Sequence, residues 1–208
     1  MSVTCKELRD VLARALRALP AHADELRDLD AALGDGDLGI TVAAGSAAVV
    51  KALDVLPEEA SVADVMLCAG KAFSTANPST FAALVGGGLL AASKVVAGKT
   101  SVGKVEAVDI GRAVAGRIAE RGKSKLGDKT LLDALIPSLD VLASSNGTAA
   151  ESLAAMIATA QEQVDATAGL QSQKGRAAWV QERSIGHADP GATAYLRFLV
   201  ALQAALKL

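Results

Sequence analysis

Aromatic residues are scarce in this 208-residue chain: Phe73, Phe81, Trp179, Tyr195 and Phe198 are all of them, 2% of the sequence. Cysteine is rarer still. Cys5 and Cys68 lie far apart and form no CxxC or other metal spacing, which argues against a disulfide framework and for a reducing, cytoplasmic setting. His22 and His187 are the only histidines, so histidine-rich zinc chemistry is excluded. A basic excess is missing as well: the net charge of −2 leaves no electrostatic footprint for nucleic acid. The longest apolar stretch, 81–97, is cut by Gly86-Gly87-Gly88 and Lys94, which excludes a membrane span. The N-terminus alternates Cys5-Lys6-Glu7 with Arg9-Asp10 and carries no signal-peptide apolar region.

What fills the gap is alanine, roughly a fifth of the chain and well above ordinary usage. Alanine is the best helix former, whereas strands favour β-branched and aromatic residues, so the skew predicts helices. Small side chains would also let those helices approach closely.

Local signals agree. Thr4-Cys5-Lys6-Glu7 reads as a capping box, followed by Leu8, Val11, Leu12, Ala15, Leu16 and Leu19 on one helical face up to Pro20. Further helices are predicted from Leu26 to Leu33 before Gly34, from Leu38 to Leu56 before Pro57, and from Ser61 through Phe73. Another resumes after Asn77-Pro78 and runs toward Gly98, and the next spans Val105 to Arg121. A polar loop, 122–129, separates these from a helix over Thr130 to Leu142, with Pro137 as a bend. The box Thr148-Ala149-Ala150-Glu151 opens a helix to Ala168, and a last helix follows Pro190. About eight helices with short connections, no period-2 strand run and no Gly/Ser-rich linker predict one all-α domain over 1–208.

Three segments carry candidate chemistry. The first is Asp30-Ala31-Ala32-Leu33-Gly34-Asp35-Gly36-Asp37, three carboxylates gathered at a helix end and the turn after it. Such carboxylates repel unless a hard cation neutralises them, and oxygen ligands suit Mg²⁺ or Ca²⁺. An EF-hand loop is excluded, since the twelfth position counted from Asp35 is Ser46 and not Glu. The plain alternative is an Asp-Gly turn with Asp37 as a helix cap. The second segment runs from Gly175-Arg176 to Asp189-Pro190-Gly191-Ala192-Thr193. There Arg176 could pair with phosphate as a bidentate fork, Glu182 and Arg183 read as a structural ion pair, and His187 as a hydrogen-bonded loop residue. The third is Gly127-Asp128-Lys129-Thr130, a glycine turn into a helix whose free N–H groups could meet an anion, without the P-loop pattern.

In this order the three segments resemble the L subunit of dihydroxyacetone kinase, over essentially the full chain. The resemblance implies an antiparallel eight-helix barrel with ATP or ADP at one end. It implies Asp30, Asp35 and Asp37 as ligands of two Mg²⁺ ions bridging the nucleotide phosphates. Nucleotide contacts would fall on Leu38, Gly39, Thr41, Ser79, Thr80, Gly122, Leu131, Arg176, Asp189 and Gly191. In the family a separate K subunit holds the ketose through a histidine hemiaminal, and the L subunit delivers the γ-phosphate. A homodimer, and a phosphotransferase-system protein as phosphoryl donor, are implied partners. Two stretches depart from the family pattern. Leu38 and Thr41 stand where the family has His or Thr and then Asn, and Asn77-Pro78-Ser79-Thr80-Phe81 replaces a Gly-Gly-x-Ser-Gly loop over the phosphates. The departures suggest a divergent branch, acting on another ketose such as a tetrulose, or a regulatory nucleotide-binding module. Four of the five aromatics lie near these segments, which places the large rings at the nucleotide end.

Overall fold

Helix starts in this chain are written locally. In the computed structural model, which describes residues 2–206, Thr4 accepts from the Glu7 N–H while Glu7 reaches back to the Thr4 N–H, opening α1 (Cys5–Ala18). Proline at the first turn then tightens the chain into a 3₁₀ segment, Leu19–His22. Next come α2 (Ala23–Leu33), α3 (Leu38–Asp54), α4 (Val62–Ala76), α5 (Thr80–Val95), α6 (Lys104–Gly122), α7 (Leu131–Ser144), α8 (Ala149–Ala168) and α9 (Pro190–Leu206). The predicted helices are all present, and α7 continues through Pro137. Two features went beyond the prediction. The polar stretch Arg176–Ser184 is a second 3₁₀ segment, kinked at Gln181, and a two-residue antiparallel ladder pairs β1 (Val3–Thr4) with β2 (Ser101–Val102).

Hydrogen bonds between helix ends fix the topology. Arg9 donates to the carbonyls of Leu56 and Pro57 (both 2.7 Å), so α1 begins where α3 finishes. The Val62 N–H donates to Lys99 (3.3 Å), and Lys104 Nζ to the Ser145 carbonyl (2.7 Å), which places the starts of α4 and α6 at that same end. At the opposite end, Asn77 after α4 donates to Thr41 in the first turn of α3 (2.7 Å). Lys129 before α7 donates to Ala168, the last residue of α8 (3.1 Å). Neighbours follow the order α1, α3, α4, α5, α6, α7, α8, α9 and return to α1, where Arg14 donates to the Ala205 carbonyl (3.1 Å). Eight helices thus alternate up and down in a closed antiparallel barrel. The ninth, α2, lies across one end, packed on α3 and on the 176–184 segment, and tied to α9 by Glu25 and Arg197 (2.8 Å).

Small residues permit close packing. A β-carbon on Gly86 of α5 would sit 2.7 Å from the Gly70 carbonyl of α4, and Ala15, Ala82, Ala134 and Ala160 are fully buried. Larger side chains such as Leu26, Leu53, Leu132 and Leu196 fill the space between, each contributing about 1.5–3 kcal/mol by leaving water. Four of the five rings lie toward the end that carries α2, with Phe198 deeper in the core. Phe73 is buried in the wall between α3, α4 and α5, and the Tyr195 hydroxyl pairs with Ser138 Oγ (2.8 Å) between α7 and α9. A phenol or phenyl ring needs more room than alanine-lined seams offer, so these two sit where small neighbours leave it. Phe81, in the first turn of α5, and Trp179, exposed on the 3₁₀ segment, lie nearest the loops.

Candidate functional site

The alternation of the barrel has an electrostatic consequence. Helices α3, α5, α7 and α9 all run away from the end that carries α2, so four helix N-termini, with their partial positive charge, converge there. A β-carbon placed on Gly191, at the start of α9, would lie 3.5 Å from the Phe81 ring of α5 and 3.6 Å from Leu131 Cβ of α7. The loops of this end, 34–37, 77–79, 123–130 and 169–189, carry all three segments singled out in the sequence.

Asp30, Asp35 and Asp37 meet here: one oxygen from each lies within 4.8 Å of the others. Asp30 projects from the last turn of α2. Gly36, at φ +73°, provides the left-handed step that turns Asp37 back toward it. Asp30 Oδ2 accepts the Leu38 N–H (3.1 Å), fixing the carboxylate against the first turn of α3. Burial raises the Asp30 pKa above the usual carboxylate range, and the neighbouring Asp35 and Asp37 charges add to this, against that hydrogen bond. Arg176 comes from the start of the 3₁₀ segment and its guanidinium contacts Asp35 Oδ1 and Asp37 Oδ2, the latter at 3.5 Å. An all-oxygen, triply anionic set of this reach fits a hard divalent cation such as Mg²⁺.

Not every residue expected at the site offers its side chain to it. Leu38 and Thr41 are buried, Leu38 in the wall beside Leu26 and Val42. Thr41 Oγ1 is occupied by Asn77, because the turn of α3 points position 41 inward. Gly39 is backbone only, and a β-carbon there would stand 2.0 Å from the Ala23 carbonyl; glycine is what lets α3 pass under the start of α2. Ser79 and Thr80 begin α5, whose N-terminus has no side-chain cap. Phe81 does not cover that N-terminus but turns edge-on to Phe73, with centroids 6.4 Å apart. Gly122 ends α6 and Leu131 begins α7.

Two expectations fail. The turn into α7 is largely spent on internal bonds, since buried Asp133 accepts from Thr130 N and Gly127 N (both 2.6 Å) and Thr130 Oγ1 accepts from Leu132 N (3.3 Å). Glu182 and Arg183 are exposed and make no ion pair among the described residues; adjacent in a 3₁₀ turn, their side chains diverge. His187 is exposed on the loop.

At the start of α9, Asp189 Oδ2 accepts the Ala192 N–H (2.7 Å) from a buried position. Desolvation pushes its pKa up to about 7, opposed by the Ala192 hydrogen bond and reinforced by nearby Asp133. Lys129, read in the sequence only as part of the Gly127–Thr130 turn, is 1% exposed and its burial lowers its pKa, with Asp189 opposing. No sequence signal marks it, because an ammonium group is ordinarily solvated.

Comparison with known proteins places this architecture. The DAK2 domain family matches residues 32–204. The ADP-binding subunit of a PEP-dependent dihydroxyacetone kinase from Listeria innocua is 35% identical over 176 residues, covering 81% of this chain and 79% of that one. L-erythrulose 1-kinase from Mycolicibacterium smegmatis is 33% identical over 180 residues, 86% of this chain, which spans only 32% of that longer protein. Among solved structures, the dihydroxyacetone kinase of C. freundii in complex with AMP-PNP and Mg²⁺ superposes with a TM-score of 0.76 at 23% identity. That match covers 98% of this chain and 34% of the kinase, and it shows the shared all-helical fold. The chain belongs to the DAK2 domain family.

Proposed function

We propose that this protein is the Mg²⁺-nucleotide-binding, phosphoryl-donating subunit of a two-component ketose kinase. The observation that carries the reading is the meeting of Asp30, Asp35 and Asp37 within 4.8 Å, at the barrel end where α5 begins without a side-chain cap and α3 begins against Asp30 itself. Polyphosphate needs cations and N–H donors together, and this end offers places for both. The family supports it, as do relatives named as ADP-binding subunits.

In this reading Asp30, Asp35 and Asp37 hold two Mg²⁺ ions, with Asp30 oriented by the Leu38 N–H. Bound there, the ions would neutralise phosphate charge and align the transferring group. The chain's own residues do the positioning. The starts of α3 (Leu38, Gly39, Thr41) and α5 (Ser79, Thr80) direct their helix dipoles toward the phosphates. Gly39, Ser79 and Thr80 offer the N–H groups, since those of Leu38 and Thr41 are bonded to Asp30 and to the Asp37 carbonyl. Arg176 offers the guanidinium fork that matches a phosphate edge. Gly122, Leu131 and Gly191 line the approach with small or apolar surface, and Asp189 holds the α9 N-terminus in place. The sugar is bound by a separate K-like subunit, so the single chain transfers nothing to free ketose. ATP, or a phosphotransferase-system protein recharging bound ADP, supplies the phosphoryl group, and the subunit acts as a cytoplasmic homodimer.

A tetrulose is the second substrate reading, favoured by the erythrulose kinases among the relatives. The third, a regulatory module that binds nucleotide without transfer, rests on the altered 77–81 loop. Calorimetry of Mg·ADP with the chain and with Asp35→Asn tests the site: the variant should bind at least about 100-fold more weakly. Equal binding would remove the metal assignment. Adding a K-like subunit with dihydroxyacetone or erythrulose then separates the substrate readings, and transfer to neither favours the regulatory one.

A further inference from the structure

Among the described residues Lys129 is the largest fully buried side chain, yet no carboxylate lies within ion-pair distance of it. Its ammonium is instead satisfied by three carbonyls: Ser184 (2.6 Å), Leu170 (2.9 Å) and Ala168 (3.1 Å). Three donors meet three acceptors, so the buried group is fully paired. Ala168 is the last residue of α8, so the charge also sits at the negative end of that helix. The backbone at Lys129 is left-handed, φ +59°, a conformation costly for a residue with a β-carbon and kept only where the surroundings enforce it.

The three acceptors are not scattered. Ala168 and Leu170 open the long connection between α8 and α9, and Ser184 closes its 3₁₀ segment. Backbone bonds gather the same strands of chain: Gly186 N–H to Ala168 (2.8 Å), and Gln173 N–H to Asp128 (3.0 Å). Ser172 N–H donates to Ser184 Oγ (2.9 Å). Lys129 is thus the post around which both ends of the connection close. Between those ends the chain projects as a loop whose 3₁₀ segment begins with Arg176, the residue that meets Asp35 and Asp37.

We infer that Lys129 is a positioning residue: it clamps both ends of the 169–186 connection and thereby sets Arg176 over the aspartate cluster. It touches no substrate. The consequence for nucleotide affinity rests on the site reading given above, whereas the clamp itself does not.

Two measurements test this on the full chain. Lys174, Arg176 and Arg183 are trypsin sites within the clamped loop. In Lys129→Met, and more mildly in Lys129→Gln, cleavage after these three should accelerate by about tenfold or more while other sites stay protected. Unchanged cleavage overturns the clamp; cleavage spread over the entire chain in both variants makes Lys129 a determinant of the fold at large and overturns it as well. The second measurement is a double-mutant cycle by Mg·ADP calorimetry. Lys129→Met should weaken binding by about tenfold in the parent but less than about threefold in an Arg176→Met background, since it acts through that arginine. Additive losses would show that Lys129 does not work through Arg176. A parent chain that binds no Mg·ADP would sink the functional reading alone, and trypsin then decides the clamp.

Discussion

The two ends of the barrel finish their helices differently. At the end where α1, α4, α6 and α8 begin, the same device recurs four times. An acid in the first turn, Glu7, Asp64, Glu106 or Glu151, accepts the N–H of the residue before the helix at 2.7–3.0 Å. At the other end α7 uses this device through Asp133 and α9 is held by Asp189, but α5 has neither a side-chain cap nor an acid in its first turn, and α3 has only the Asp30 carboxylate, from outside the helix, on its Leu38 N–H. Unfinished helix starts are costly unless water or a ligand completes them. The end that leaves α5 open, and meets α3 only with one of the clustered carboxylates, is the end that gathers three aspartates and an arginine. The difference sets a closed end against the end that the proposed function uses, without reference to any relative.

The largest effect expected is at the seam that holds α2 across the site end. Gly39→Ala puts a methyl group 2.0 Å from the Ala23 carbonyl, where backbone on both sides must move. We expect a loss of about 3 kcal/mol in urea unfolding, at the upper end of overpacking costs. The same change at Gly116, which has open space around it in α6, should stabilise by about 0.5–1 kcal/mol. If the two substitutions behave alike, α2 is not seated on α3 as described and the aspartates lose their frame.

How much of this was legible beforehand follows from how local each determinant is. Thr4/Glu7, Ser61/Asp64 and Thr148/Glu151 lie three residues apart, so the helix starts could be read directly. The aspartate cluster was legible for the same reason, being contained in eight consecutive residues. Determinants that join distant segments left no trace. Asn77 and Thr41 are 36 positions apart, and Lys129 and Ser184 are 55 apart. Read locally, Thr41 looked like a free oxygen and Gly127-Asp128-Lys129-Thr130 like an anion site. The fold instead spends both on internal bonds, the second through Asp133, whose reach to Gly127 depends on the left-handed turns at Gly127 and Lys129.

Titration should separate the capping acids of the far end from the buried aspartates of the site end by sign. Hydrogen bonds from Thr4, Ser61 and Thr148 hold Glu7, Asp64 and Glu151 below their usual values, so their contribution is present above the unfolded pKa and lost as pH falls through the folded one. Burial raises Asp30 and takes Asp189 to about 7. Between the ordinary carboxylate value and 7, folded Asp189 keeps a proton that the unfolded chain releases, so stability declines as pH rises through that window. Asp189→Asn keeps an acceptor for the Ala192 N–H and cannot ionise. The stability of the parent relative to this variant should fall by roughly 1 kcal/mol per pH unit between about 4 and 7, then level off. Urea unfolding across pH 4–8 measures it, and parallel curves would mean that Asp189 ionises as easily folded as unfolded.

The smallest effects probe the comparison most directly, because they remove one hydroxyl from each end. Thr148 Oγ1 accepts the Glu151 N–H at 3.2 Å, so Thr148→Ala should cost about 1 kcal/mol and leave Mg·ADP affinity unchanged. Ser79 occupies the equivalent position before α5 but its hydroxyl caps nothing, so Ser79→Ala should cost no more than a few tenths of a kcal/mol. Its effect should emerge on the ligand side, as a loss of a few-fold in Mg·ADP affinity, the scale of one hydroxyl–phosphate hydrogen bond. A stability cost equal to that of Thr148→Ala would mean that α5 completes its own start, as the far-end helices do. The open N-terminus would then be no part of the binding surface, and the aspartates would have to hold the phosphates with α3 alone.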